Sequence, residues 1–268
     1  MLEKMLKKIE SYLDQSGYRG FLRTKKLYKL YKILKGSAVI FNSFVYELYS
    51  RKVFRDILKG NRNDVYSCYI NSFKLPPEDP IAILNDKNPM PWMYIKAIHF
   101  IEAFVLSIQN PIVFEYGSGA STLYFNKLGA TVYSVESLKI WADAVNQKLE
   151  TLNYTNKVIH VDPVINLTSR YRSYWPEYAN CCFEKYVHTI EKINQKPNIV
   201  LIDGECRAEC LKLALNTVPS GSLIVLDNSK RMRYAEQVEI VKSQYRTLEF
   251  EGPTTYSQGF DSTLLVYT

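Results

Sequence analysis

The sequence predicts an α/β protein: a doubly wound, mostly parallel seven-stranded sheet with an antiparallel last strand, plus an N-terminal helical region. Three observations carry that prediction. From residue 112 onward, short continuous apolar runs alternate with helical patterns through short links, the grammar of a parallel sheet covered on both faces. The last two strand-like runs have no helix between them, so they should pair as an antiparallel hairpin. Before residue 90 the apolar spacing is helical and the charge balance is different.

The helical region is taken as residues 1–90 and the main domain as 91–268. Leu2, Met5, Leu6, Ile9 and Leu13 recur at three- and four-residue steps and give one apolar stripe. Phe21 to Leu34 interleaves Lys25, Lys26, Lys29 and Lys32 with Leu27, Tyr28, Leu30, Tyr31, Ile33 and Leu34. A further helical pattern runs through Phe44, Leu48, Phe54, Ile57 and Leu58 to Gly60-Asn61. Residues 1–60 hold fourteen Lys and Arg against five Asp and Glu, whereas the rest of the chain holds twenty against twenty-two. The net charge of +7 therefore belongs to the N-terminal segment. That segment suits a solvated cationic cap, a peripheral membrane contact through its basic helices or, without any reader motif, nucleic-acid binding, and the apolar content of residues 27–58 suits a helical homodimer interface.

The run Lys74-Leu-Pro-Pro-Glu-Asp-Pro80 reads as a connector, because proline cannot continue a helix. Met93 to Ile108 is an apolar helix stopped by Asn110-Pro111. Strands are expected at 112–116, 131–135, 158–161, 198–202 and 222–226, with helices at 121–128, 141–152, 183–193 and 208–217 between them. The closing hairpin takes Arg246–Glu251 and Ser262–Tyr267.

The composition, 47% hydrophobic and 23% charged over 268 residues, is that of a globular protein with a substantial core. The apolar stretches 37–45 and 100–108 are too short, or broken by Asn42 and Glu102, to cross a bilayer. The start of the chain lacks a signal-peptide core, so a cytoplasmic location is expected. Five cysteines in no metal or redox spacing read as free thiols.

Ligands of an open parallel sheet bind beyond the carboxyl ends of its strands. Those ends read Glu115-Tyr116-Gly117-Ser118-Gly119, then Glu136, Asp162, Asp203-Gly204 and Asp227-Asn228-Ser229, so every one carries an acid. The Gly117-x-Gly119 turn would let backbone pass close under a ligand and aim free helix N–H groups at it. Glu136 could accept both ribose hydroxyls of an adenosine cofactor, and its separation from Gly117 fits NAD as well as other such cofactors. Thr122 stands where a dinucleotide fingerprint needs glycine, and two features tilt further away from NAD: Glu115 could reach a cationic amine rather than a pyrophosphate, and the sheet closes in a hairpin.

Together with the C-terminal hairpin, these residues resemble the class I S-adenosyl-L-methionine-dependent methyltransferases, which are Rossmann-like, over about residues 90–268. Phe-Glu-Tyr-Gly-Ser-Gly-Ala-Ser-Thr at 114–122, Ser-Val-Glu at 134–136, Ile-Asp-Gly at 202–204 and Leu-Asp-Asn-Ser at 226–229 look like an uncharacterised bacterial branch of that group. The resemblance implies a cofactor site of Glu115, Tyr116, Gly117, Ser118, Gly119, Ser121, Thr122, Glu136, Asp162 and Asp203. In it Gly117–Gly119 line the methionine part, Glu136 holds the ribose and Asp162 lies near the adenine edge. It also implies an enzyme acting on a sugar, glycolipid or other small-molecule or glycan acceptor.

A narrower likeness is to metal-dependent O-methyltransferases, whose Asp and Asp-Asn pattern is matched by Asp203, Asp227 and Asn228. Three hard oxygen ligands could hold Mg²⁺ and lower the pKa of an acceptor hydroxyl. Against it stand Lys230, Arg231 and Arg233 in the same loop, and the ordinary preference of Asp and Asn for turns. For a catalytic base the candidates are Asp203 and His188, since His99 and His160 sit within a helix and a strand. Arg207 could clamp an anion or pair with an acid. Arg170, Tyr171, Arg172, Tyr174, Trp175 and Tyr178 form a candidate lid suited to sugar rings and phosphates. The Asn/Asp-Pro-Pro-aromatic signature of nucleic-acid base methylation is absent, which disfavours a nucleic-acid partner. The competing readings are a non-catalytic methyltransferase-like scaffold, binding a partner or membrane surface, and an NAD-linked oxidoreductase.

Overall fold

A computed structural model describes residues 80–85, 88–175, 178, 180–256 and 260–268. The basic helices, the membrane contact and the dimer interface expected over residues 1–79 lie outside the described residues. Among the described residues no helix is long and apolar enough to cross a membrane.

After a 3₁₀ turn at Pro80–Asn85, helix α1 (Ile95–Leu106) leads into the alternating part of the chain. There follow β1 (Ile112–Tyr116), α2 (Ala120–Lys127), β2 (Thr131–Glu136), α3 (Lys139–Thr151) and β3 (Val158–His160). The second half holds β4 (Val164–Ile165), β5 (Cys181–Cys182), α4 (Glu184–Val187), β6 (Ile199–Ile202), α5 (Arg207–Thr217) and β7 (Leu223–Asp227). It closes with α6 (Ala235–Gln244), β8 (Arg246–Pro253) and β9 (Phe260–Tyr267). Seven strands form one sheet in the order β3-β2-β1-β6-β7-β9-β8. All run parallel except β9, which is antiparallel to both of its neighbours.

The sheet is wound outward in two directions from β1 and β6, so its switch point lies between their carboxyl ends. Strand periodicity sorts the core. Phe114, Tyr116, Val200, Ile202, Ile224 and Leu226 face one way, onto Tyr186, Leu211, Ala214 and Val241 of the helices there. Val113, Leu201, Leu223 and Val225 face the other way, onto Ile98, Ile101 and Val105 of α1. Each such apolar side chain contributes about 1.5–3 kcal/mol by leaving water. Helix α2 stops in a Schellman motif: Gly129 at φ +84° donates to Asn126 O at 3.0 Å, and Ala130 N donates to Phe125 O at 3.1 Å.

The hairpin of β8 and β9 forms as expected, but β9 inserts between β7 and β8 instead of extending the edge in chain order. The single helix expected over 183–193 is instead the short α4 followed by a 3₁₀ turn, His188–Lys192. Thr189 Oγ1 donates to Lys185 O at 2.9 Å, a local bond that competes with regular helix, and Ile190 beside it is β-branched. The ribbon of β4 and β5 has no clear sequence signal at two residues per strand. The four described cysteines are free thiols.

Candidate active site

The crevice at the switch point is framed by the loops after β1 and β2 on one side and after β6 and β7 on the other. Gly117, at φ +94°, and Gly204 bring the loops after β1 and β6 together: a Cβ on Gly117 would lie 2.9 Å from Gly204 N. The close approach is locked by Asp203 N donating to Tyr116 O at 2.9 Å.

The N–H groups of the glycine turn are committed inside the protein. Gly117 N donates to Val135 O at 2.9 Å, Ser118 N to Glu136 Oε2 at 3.0 Å and Gly119 N to Thr122 Oγ1 at 3.0 Å. The turn's own three amides are thus taken, and any donors offered to a ligand are left to the helix N–H groups that follow it. Behind it, the Thr122 and Ser134 hydroxyls donate to Glu115 Oε2 at 2.7 and 2.6 Å. Glu115 is fully buried, and burial pushes its pKa up to about 7 against the pull of those hydroxyls. Ser121 faces the same carboxyl. Glu115 and Thr122 thus brace the turn and do not line the crevice. The Tyr116 ring points into the core, where its hydroxyl donates to Val187 O at 2.7 Å and burial raises its pKa.

Glu136 stands half-buried at the rim. Its Oε1 accepts from Ser137 N at 2.8 Å and Leu138 N at 3.0 Å, and its Oε2 also from Ser118 Oγ at 3.3 Å, so the carboxylate is fixed by three backbone dipoles and by serine hydroxyls that can rotate away. Trp141 of α3 donates its indole N–H to Ser118 O and lies against Gly119, where a Cβ would meet its ring at 3.4 Å. From below, the Tyr186 hydroxyl comes up beneath Gly204. It is buried, and the backbone of Glu205 faces it without satisfying it. Sequence reasoning missed both rings, since an aromatic in a helix reads as core; only their closeness to glycines marks them. Asp162 is exposed, with Oδ1 3.2 Å from His160 Nε2.

Across the crevice the structure does bring Asp203, Asp227 and Asn228 together, but around Arg207. Its Nε donates to Gly204 O at 2.9 Å, and Nη1 donates to Asp227 O at 2.9 Å and Asn228 Oδ1 at 3.0 Å. Its Nη2 donates to Asp203 O and lies 2.9 Å from Asp203 Oδ1. Burial alone would lower the Arg207 pKa, yet Asp203, Tyr234, Asp227 and Glu205 hold it above its ordinary value. Burial also pushes Asp227 well up, helped by Asp203 and opposed by Arg207. The Mg²⁺ expectation does not fit: the candidate ligands are turned onto a guanidinium, and no cluster of three or more His, Cys, Asp or Glu suited to a metal occurs among the described residues. Arg207 pairs with acids here and has no N–H left over for an anion.

His188 bonds Glu191 Oε2 through Nδ1 at 2.7 Å and the Tyr171 hydroxyl through Nε2 at 3.1 Å, so both ring nitrogens are engaged. The aromatic loop between β4 and β5 does lie over the strand ends. Ser173 Oγ donates to Glu205 Oε2, and the Arg233 guanidinium sits 4.8 Å from the Tyr174 ring centroid. Tyr171 is buried in the core, while Tyr174 and Trp175 are exposed.

No family model matches the chain, and no curated protein matches it in sequence. Solved structures do match in shape. Cofactor-bound Rv0187 from MTB aligns at TM-score 0.50 and 16% identity, over 77% of this chain and 97% of that one. The O-methyltransferase TomG of Streptomyces achromogenes, involved in tomaymycin synthesis and solved with SAM, aligns at TM-score 0.49 and 15% identity, over 75% and 94%. A methyltransferase-like protein of Silicibacter pomeroyi aligns at TM-score 0.48 and 20% identity, over 68% and 90%. The chain shares the fold of cofactor-bound Rv0187, a Rossmann-like, mostly parallel seven-stranded sheet with an antiparallel last strand.

Proposed function

We propose that the chain is an S-adenosyl-L-methionine-dependent methyltransferase acting on an oxygen of a sugar, glycolipid or other small hydroxylated acceptor. One observation carries the cofactor. The Glu136 carboxylate is held at the rim by the Ser118 amide, beside a glycine turn whose own N–H groups are taken. Such a surface accepts hydrogen bonds from ribose hydroxyls and has few donors for a pyrophosphate, which disfavours NAD.

In this reading Gly117, Ser118 and Gly119 form the floor, Glu136 takes the ribose, Asp162 lies toward the adenine and Asp203 toward the amino acid part. Glu115, Tyr116, Ser121 and Thr122 act from behind the turn. The bound cofactor supplies a methyl group on a sulfonium. The chain's task is to align the acceptor hydroxyl with it and to accept the hydroxyl proton. Asp203, with 37% of its side chain exposed, is the carboxylate positioned for that, while His188 would act only through Tyr171. The exposed rings of Tyr174 and Trp175 support a flat, hydroxylated acceptor.

The test is calorimetric titration with S-adenosylhomocysteine and, separately, NAD. Micromolar binding of the first alone supports the proposal. Binding of NAD alone would establish a dinucleotide site, and binding of neither would bring the scaffold reading forward.

A further inference from the structure

We infer that Arg207 is a resident cation standing where a divalent metal would otherwise be held, so that the acceptor side of this site works without Mg²⁺. The consequence for the reaction rests on the function proposed above; the cation's place in the site does not.

Four of the five side-chain oxygens of Asp203, Asp227 and Asn228 are already turned elsewhere. Asp203 Oδ1 lies on Arg207 Nη2 at 2.9 Å, and Asn228 Oδ1 accepts from Arg207 Nη1 at 3.0 Å. Asp227 Oδ1 accepts from Thr263 Oγ1 at 2.9 Å, and Asp227 Oδ2 from Asn228 Nδ2 at 2.7 Å. The same amide nitrogen also donates to Asp261 Oδ2 at 2.6 Å. The amide orientation is thus fixed from both sides, with oxygen toward the guanidinium and nitrogen between two carboxyls. Nothing in that arrangement resembles the octahedral oxygen shell Mg²⁺ demands. Arg231 adds a second guanidinium within electrostatic reach of Arg207, Arg233 and Asp261, which further repels a dication.

The geometry also explains why the cation is an arginine. A guanidinium has five N–H donors in a planar fork, and here they reach Gly204, Asp203, Asp227 and Asn228 at once. It ties the loop after β6 to the loop after β7 and fixes one oxygen of Asp203. A metal would do the same and additionally offer sites to the acceptor; Arg207 does not. Arg207 is on this account a positioning residue.

The experiment is a Mn²⁺ titration of the full chain followed by electron paramagnetic resonance, with S-adenosylhomocysteine calorimetry on the same samples with and without EDTA. Wild-type protein should leave the free Mn²⁺ signal undiminished, and the cofactor titration should ignore EDTA. Arg207→Ala, checked for folding by circular dichroism, should take up Mn²⁺ about tenfold or more tighter than wild type, because ligand charge sets affinity at oxygen sites. Arg207→Lys, which keeps the charge, should not. Stoichiometric Mn²⁺ uptake by wild type that Asp203→Asn or Asp227→Asn abolishes would overturn the inference, as would a folded Arg207→Ala that gains nothing. If Arg207→Ala does not fold, the wild-type titration and its Asp203→Asn control decide. Failure of the cofactor reading looks different: no S-adenosylhomocysteine binding in any sample, whatever Mn²⁺ does.

Discussion

Three strand ends in this molecule carry the same sequence signal, and one of them is partnered in the opposite way to the other two. At the end of β2, Glu136 is held by the amides of Ser118, Ser137 and Leu138. At the ends of β6 and β7, Asp203 and Asp227 are gathered about a guanidinium. Backbone dipoles fix a carboxylate without cancelling its charge, so Glu136 keeps a negative charge at the rim. A buried counter-ion takes up the charge around it, so Asp227 and one oxygen of Asp203 hold the wall of the site in shape. What an acid at a strand end is for depends on which partner the fold delivers to it.

The contrast can be broken most sharply at Arg207. Truncation to Ala should destabilise the fold by about 3–5 kcal/mol in denaturant unfolding, the cost of leaving one side of a buried ion pair unmatched. A loss below about 1 kcal/mol would show that the clamp contributes little.

Next in size is Glu115. Its raised folded pKa means the native state binds the proton more tightly than the unfolded chain does. The penalty for ionising it is therefore absent below about pH 4.5, grows as pH rises and is complete above about pH 7. At one pKa unit per 1.36 kcal/mol, that penalty is on the order of 3 kcal/mol. Glu115→Gln should remove this component of the pH dependence, so its stability relative to wild type improves steadily across that window. Parallel stability profiles for the two proteins would place the charge somewhere less buried.

Glu136→Ala sharpens the other half of the contrast. It should weaken S-adenosylhomocysteine binding by about 1–3 kcal/mol, the scale of losing hydrogen bonds to a charged group. Unchanged affinity in a folded variant would remove Glu136 from the site. The smallest effect should come from Ser173→Ala, which unpins the aromatic loop from Glu205. About 1 kcal/mol or less of stability is expected, with earlier proteolysis between Asn166 and Asn180 as the more sensitive readout.

Much of this was legible in the sequence. Continuous apolar runs such as Ile199-Val-Leu-Ile202 announce strands buried on both faces, and Gly129 announces a helix end. The acids at the strand ends were readable by position alone. What the sequence hid are facts about partners. Arg207 meets Asn228 across a separation of 21 residues, and no local pattern encodes that contact. The hydroxyls that absorb Glu115 come from Thr122 and Ser134, so its sequence position suggested a ligand contact where the fold supplies a brace. The place of β9 was hidden too, because a hairpin's pairing does not say which of its strands joins the sheet.

That last feature bears on how the protein is made. β9 pairs with β7 along Asp227↔Thr263 through Leu223↔Tyr267, so everything from Asp227 to Phe260 must be synthesised before β7 gains its second neighbour. A nascent chain that has emerged only as far as β8 carries an apolar strand, Leu223-Ile-Val-Leu, with one edge unpaired. Ribosome pausing within that interval, or truncation just short of Phe260, exposes an adhesive edge in an otherwise assembled sheet. Chaperone dependence should therefore be concentrated in the final stage of translation.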